Sequence, residues 1–312
     1  MLTAGSGESP GLSARPGGRM PARERMRALL EVGQRGPLIL AGAPDALTAR
    51  LVQELGFEAV YVTGAGVTNS HLGVPDLGLI TLSELADHVE AIREAVELPL
   101  VVDADTGFGG PLNVRRTVRV LERRGADAIQ LEDQLFPKRC GHFAGKQVIP
   151  AGEMVAKLKA ALEARRDDSL AIVARTDARQ VLGLEAALER AELYREAGAD
   201  VIFVEAPESR EELAEIGRRL EGPLLVNIVE GGATPALPAT ELGELGFSIV
   251  LYANAALRGA LFGARAVLEE LKRSGSTQGA LDRMIGWDER QRLVGKPFYD
   301  ALGDSYAAEE TV

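Results

Sequence analysis

The sequence predicts an α/β chain closed into a (β/α)8 TIM barrel, and three observations carry that expectation. Eight apolar runs of strand length are separated by longer segments of helical period. Polar and ionisable residues gather at the C-terminal ends of most of those runs, which in such a barrel is the rim where sites are built. Neither a G-x-G-x-x-G turn opening a helix nor a G-x-x-x-x-G-K-[ST] loop announces a doubly wound nucleotide-binding sheet instead.

In chain order, residues 1–20 are rich in Gly, Ser, Pro and Arg, and such a segment buries too little apolar surface to offset its chain entropy. A disordered tail is expected there. The barrel is expected over residues 21–275, with strands in "PLILAGA", "EAVYVTG", "LPLVVDADTG", "DAIQLED", "LAIVARTD", "DVIFVEAP", "PLLVNIVEGG" and "FSIVLYANA". Between them, "LNVRRTVRVLERRG" and "LEAALERAELYREAG" repeat Leu, Val and Ala at spacings of three and four, carry Arg and Glu on the other face, and stop at Gly. Residues 276–312 read as a C-terminal helical extension.

Composition narrows the function. With 46 acidic against 35 basic residues the net charge is −11, which disfavours nucleic acid and anionic membrane surfaces and points to a small-molecule partner. No apolar stretch approaches the roughly 20 residues needed to span a bilayer. A single cysteine allows no intramolecular disulfide, and the N-terminus lacks the apolar run of a signal peptide, so a cytoplasmic location is expected.

The rim residues suggest the chemistry. Tyr61 and Thr63, Asp103 and Asp105, Glu132, Arg175 and Asp177, Glu205, and Asn227 end six different strands, which suggests one convergent polar pocket. Asp103 and Asp105 are two apart, so on a strand both face the barrel interior, where two carboxylates repel unless a cation lies between them. Oxygen ligands without a His or Cys cluster favour Mg²⁺, or Mn²⁺, over zinc, with Glu132 and Asp76 as outer-sphere carboxylates. Arg175 and Arg258 have the fork that captures substrate carboxylates. His71 and His88 lack metal-ligand spacing and read as structural.

Cys140 stands in "FPKRCGHFAGKQVIP". Lys138, Arg139 and His142 supply positive potential that favours the thiolate and brings the thiol's pKa from ~8.5 toward neutrality, where it can exchange protons. Gly141 and Gly145 give the segment the look of a lid that carries its own acid to the barrel mouth.

"DADTGFG", "LEDQ", "KRCGH", "ARTDA", "FVEAP" and "NIVEGGATP", in this order over roughly residues 22–300, resemble the isocitrate lyase and phosphoenolpyruvate mutase superfamily, especially its short methylisocitrate lyases and its 2,3-dimethylmalate lyase and petal-death group. The resemblance implies a Mg²⁺-dependent lyase that splits a substituted malate, a di- or tricarboxylate, into a 2-oxo acid and a succinate-like acid. By position it makes Asp103 and Asp105 metal ligands, helped through water by Asp76 and Glu132. It gives Thr63, Gly64 and Ala65 the oxo-acid carboxylate. It lines the pocket with Gly141, Arg175, Glu205, Asn227 and Arg258. Catalysis falls to Tyr61 or a group coupled to it as base and Cys140 as carbon acid, with Lys138, His142 and Glu132 in support. It further implies a last helix swapped between subunits of a homotetramer built from dimers.

Two departures bear on the substrate. "EGG" at 230–232 replaces the E-F-G of methylisocitrate lyases, and Trp287 stands where those enzymes have a substrate-binding arginine, which favours an alkyl group over a third carboxylate. Arg258 fits the methylisocitrate pattern and pulls the other way. Oxaloacetate hydrolysis or decarboxylation, mutase-type P–C chemistry, and a non-catalytic dicarboxylate-binding barrel are the alternatives.

Overall fold

The computed structural model describes residues 21–30, 36–139, 141 and 145–309. The predicted tail at 1–20, and both Cys140 and His142, lie outside the described residues. By contact density the described chain divides into two compact units, Pro21–Phe262 and Gly263 onward.

Each of the eight predicted strands forms. They are β1 Leu38–Ala43, β2 Val60–Val62, β3 Leu100–Asp103, β4 Ala128–Glu132, β5 Ala171–Thr176, β6 Val201–Val204, β7 Leu224–Asn227 and β8 Ile249–Tyr252. All neighbours are parallel, and β1 pairs with β8 to close the barrel. The helices, in chain order, are α1 Ala22–Leu30, α2 Ala46–Glu54, α3 Gly64–Val67, α4 Leu82–Ala95, α5 Pro111–Arg123, α6 Ala151–Ala164, α7 Ala178–Leu182, α8 Leu184–Glu196, α9 Arg210–Arg219, α10 Ala239–Glu244, α11 Ala255–Ser274, α12 Trp287–Leu293 and α13 Lys296–Glu309. A π-helical turn, Thr68–Leu72, continues α3.

Strand alternation sorts the side chains into two cores. Val60, Val62, Leu100, Val102, Ile129, Leu131, Ile172 and Ala174 face outward and pack under the helices. Tyr61, Val101, Ala128, Val173, Phe203, Leu225 and Leu251 face inward and fill the barrel. The same two-residue step that points Val101, Val173 and Phe203 inward also points Asp103, Arg175 and Glu205 inward, one layer nearer the C-terminal rim. The register places Asp103 beside Gln130 and Glu132 beside Arg175, so the polar layer is contiguous. Truncating a buried ring such as Phe203 would cost about 3–5 kcal/mol and remove the surface 5.3 Å beneath the Arg175 guanidinium.

The opposite end of the barrel is stoppered. Met26 and Leu30 of α1 are buried within the inner core. Arg27 anchors the helix to the strand starts, donating to the Ser169 carbonyl at 2.9 Å and pairing with Asp200 at 2.6 Å.

In the second unit, α12 starts at Trp287, whose indole is 70% exposed and lies under the Arg290 guanidinium at 4.4 Å. Helix α11, which crosses the unit boundary, has no buried residue. No helix among the described residues is long and apolar enough to cross a membrane.

Candidate active site

The acidic half of the rim gathers around β3. Asp103 ends the strand, and both it and Asp105 are buried. Asp105 does not reach the pocket by strand alternation, as the spacing predicts: the strand has ended and its backbone turns into the left-handed region at φ 49°. This brings its carboxylate round to the one on Asp103. A Cβ built on Gly64 would lie 3.1 Å from Asp103 Oδ2 and 3.2 Å from Asp105 Oδ1, so both carboxylates converge on that backbone. Thr63 caps α3 through its hydroxyl, which accepts from the Gly66 amide at 3.1 Å. Its side chain is therefore occupied in shaping the turn, while Gly64 and Ala65 contribute first-turn amides that have no acceptor within the helix.

Lys138 is buried between carboxylates: its ammonium donates to Asp76 and lies 2.7 Å from Asp105 Oδ1. Burial opposes the charge, but Asp105, Glu132, Asp76 and Asp103 outweigh it and keep Lys138 protonated. The charge of Lys138 thus faces Asp76 and Asp105.

The other half is built on β5. Arg175 forks onto Asp177 with Nε to Oδ2 at 2.9 Å and Nη2 to Oδ1 at 3.0 Å. It also reaches Glu132 at 3.5 Å and Glu205 at 3.2 Å. Gly141 lies directly against this group, since a Cβ there would come within 2.4 Å of Arg175 Nη2 and 2.7 Å of Glu205 Cδ. Only glycine fits.

A divalent cation fits the acidic half. Six buried carboxylates (Asp76, Asp103, Asp105, Glu132, Asp177 and Glu205) stand against three buried cations (Lys138, Lys146 and Arg175), a surplus of negative charge that is costly to bury. Asp105 Oδ1, for all its closeness to Lys138, accepts no hydrogen bond, and neither does Glu132 Oε1. Burial pushes the Asp105 carboxyl up to about 6 and Glu132 well above its ordinary value, against the pull of Lys138 and Arg175 respectively. Among the described residues no three His, Cys, Asp or Glu side chains form a ready-made cage. Mg²⁺ takes one or two carboxylates and keeps several waters, and the converging Asp103 and Asp105 can supply the two.

The other predicted residues differ in burial. Tyr61 lies in the middle of β2, buried, and burial together with the Asp103 charge raises its phenol well above the ordinary value. Arg258 does not join the buried cluster: its side chain is 55% exposed and its Nη1 is held 2.9 Å from both the carbonyl and Oε2 of Glu230. Asn227 does reach the rim, buried, with an Oδ1 that accepts no hydrogen bond. His71 and His88 meet edge to face at 4.8 Å.

Three residues were missed. Gln130 donates to Asp103 Oδ1 at 3.2 Å. Lys146 donates to Asp177 at 2.7 Å from the far side of a loop. Asp133 is wholly buried and accepts from Thr176, Tyr194 and Arg190 and from the Asp177 amide, fixing the ends of β4 and β5. Inward parity on β4 could have found Gln130; the others depend on contacts between distant segments.

A family model described as phosphoenolpyruvate phosphomutase matches residues 26–272. The chain belongs to the phosphoenolpyruvate mutase and isocitrate lyase superfamily. Among the superfamily's characterised members, it is 45% identical to a 2,3-dimethylmalate lyase of Eubacterium barkeri over 288 residues, covering 92% of this chain and 99% of that one. It is 47% identical to a 2-methylisocitrate lyase of Aeropyrum pernix over 275 residues, 88% of each chain. A crystal structure of 2,3-dimethylmalate lyase superposes with a TM-score of 0.86 at 37% identity, over 93% of this chain and 96% of that one.

Proposed function

We propose that this chain is a metal-dependent carbon–carbon lyase that cleaves an alkyl-substituted malate to a 2-oxo acid and a second carboxylic acid. The observation that carries the reading is the convergence of Asp103 and Asp105 on the Gly64 backbone, opposite a buried Arg175 already balanced by Asp177. Kinship with lyases named for dimethylmalate and methylisocitrate supports it. Asp103 and Asp105 would hold Mg²⁺, with Glu132 and Asp76 behind them. When bound, the ion supplies electrostatic stabilisation of negative charge developing on the oxo-acid fragment.

The chain's own residues do the rest. The first-turn amides of Gly64 and Ala65 receive the oxo-acid carboxylate. Arg175, with Glu205 and Asn227 beside it, orients the other fragment. Glu132, with one oxygen unbonded, takes the proton of the substrate hydroxyl. The carbon–carbon bond then breaks in the retro-aldol sense: its electron pair leaves with the second fragment as an enediolate, and the former hydroxyl carbon becomes the ketone. Cys140 returns a proton to carbon, and Tyr61 donates a hydrogen bond from beneath.

Arg258 decides between substituents. Glu230 already neutralises it, so we propose an alkyl group, as in 2,3-dimethylmalate, over the third carboxylate of 2-methylisocitrate. We further propose a homotetramer with a swapped last helix. An apolar groove of about 360 Å³ lined by Ile39, Leu51, Leu55, Phe57 and Tyr252 is open on the barrel, and α11 exposes Leu261, Phe262 and Leu268. A lone cysteine suits the reducing cytoplasm.

The test is product formation from a panel of alkyl malates, methylisocitrate, oxaloacetate and phosphonopyruvate with Mg²⁺ present, read as newly released 2-oxo acid and, for oxaloacetate, also as oxalate. Preference for an alkyl malate is expected. Turnover of oxaloacetate or phosphonopyruvate alone would replace the reading with a hydrolase or P–C enzyme, and no turnover of any would leave a binding protein.

A further inference from the structure

We propose that Lys146 is a positioning residue that fastens the chain at Gly141 to the end of β5 and thereby sets the Arg175 guanidinium. Its ammonium is wholly buried and has two partners: it donates to the Gly141 carbonyl at 2.5 Å and to Asp177 Oδ1 at 2.7 Å. Burying a lysine this deeply is unfavourable unless its charge is paired and its donors are used, and both conditions are met here. The arrangement is cooperative in space. Asp177 receives Lys146 and the Arg175 fork on the same carboxylate, and Gly141, whose carbonyl Lys146 holds, lies flat against Arg175 and Glu205 with no room for a side chain. One ammonium therefore fixes two faces of the pocket: the backbone that follows Cys140 and the carboxylate that aims Arg175. Without it, Asp177 would have Arg175 alone as a counter-charge, and the carbonyl of Gly141 would lose its buried donor.

The kinetic part of this inference rests on the lyase reading; the labelling part does not. Cys140 is the only cysteine and the residue before Gly141, so its alkylation by iodoacetamide reports on the tether without any substrate. In Lys146→Met, Cys140 should label several-fold faster than in the wild type. The kcat for 2-oxo-acid release should fall roughly 10- to 100-fold with KM changed far less, the signature of lost alignment and not of lost binding. A folded Lys146→Met protein with wild-type labelling and kcat overturns the proposal. Should that variant not fold, Lys146→Met combined with Asp177→Asn removes both charges, and it is compared with Asp177→Asn alone. Faster labelling in the double variant supports the tether; equal labelling overturns it. If wild type cleaves no malate, the lyase reading fails and the labelling comparison still decides the role of Lys146.

Discussion

The Lys138 ammonium lies 2.7 Å from Asp105 Oδ1 and donates to Asp76, so one buried cation joins the turn after β3 to the loop ahead of α4. Removing it should leave two buried carboxylates facing each other. Lys138→Met is expected to lower the melting temperature, and Mg²⁺ should raise it more in the variant than in wild type, because the ion then supplies the missing positive charge. Equal Mg²⁺ shifts in calorimetry for the two proteins would contradict this account.

Turnover should require a divalent ion. EDTA is expected to abolish it and Mg²⁺ or Mn²⁺ to restore it, while Asp103→Asn and Asp105→Asn each raise the metal concentration needed for half activity. Full activity in thoroughly demetallated enzyme would end the metal assignment.

Gly64→Ala probes the point where the two aspartates meet. Its methyl group would stand 3.1 Å from Asp103 Oδ2 and 3.2 Å from Asp105 Oδ1, tighter than ordinary carbon–oxygen contact. The carboxylates must spread, so metal affinity should weaken by about tenfold, equivalent to ~1.4 kcal/mol, with little change in melting temperature. Titration calorimetry with Mg²⁺ measures this directly, and wild-type affinity would show that the pair does not bind the ion.

Cys140→Ser replaces a thiol with a much weaker acid. The loss in cleavage should fall at or above the ~10²–10⁴-fold typical of general acid catalysis. Wild-type cleavage by the serine variant would reject Cys140 as the proton donor.

Acid sensitivity should trace in part to His88. Burial first, and then the neighbouring His71 charge, hold its imidazole below the ordinary 6.5. A depressed folded value means that the neutral form is favoured by the fold: the contribution is fully present above the unfolded value and is lost as pH falls through the folded one. Urea midpoints should therefore decline as pH falls below the ordinary 6.5, and His88→Asn should flatten that decline. An unchanged slope in the variant would assign the sensitivity to other groups.

The barrel was legible because each strand is announced by its own residues. Val60 to Val62 or Ile202 to Val204 are apolar on both faces, as strands covered by helices outside and packed inside must be. The rim was legible for the same reason: a polar residue in an inward position at a strand end has few structural explanations. Asp105 was placed in the right pocket by the wrong route, since a left-handed turn, and not the strand step, aims it. Lys146 and Asp177 went unpaired because 31 residues separate them and nothing local in "GKQVIP" betrays a buried ammonium. The ion pair of Arg258 was hidden for a similar reason, its partner Glu230 lying 28 residues earlier in the chain. Periodicity reports which way a side chain points; it does not report what waits there.

Met26 and Leu30 close the barrel at the end away from the rim, so the interior has a single doorway. A cleavage that makes two acids from one substrate then has a traffic problem: both products must depart past the same residues, and the deeper one waits for the shallower. The 2-oxo acid, which the proposed reading holds both at Gly64 and on the metal, should be the last to go. Product inhibition should show this, with the 2-oxo acid competitive against substrate and the second acid noncompetitive.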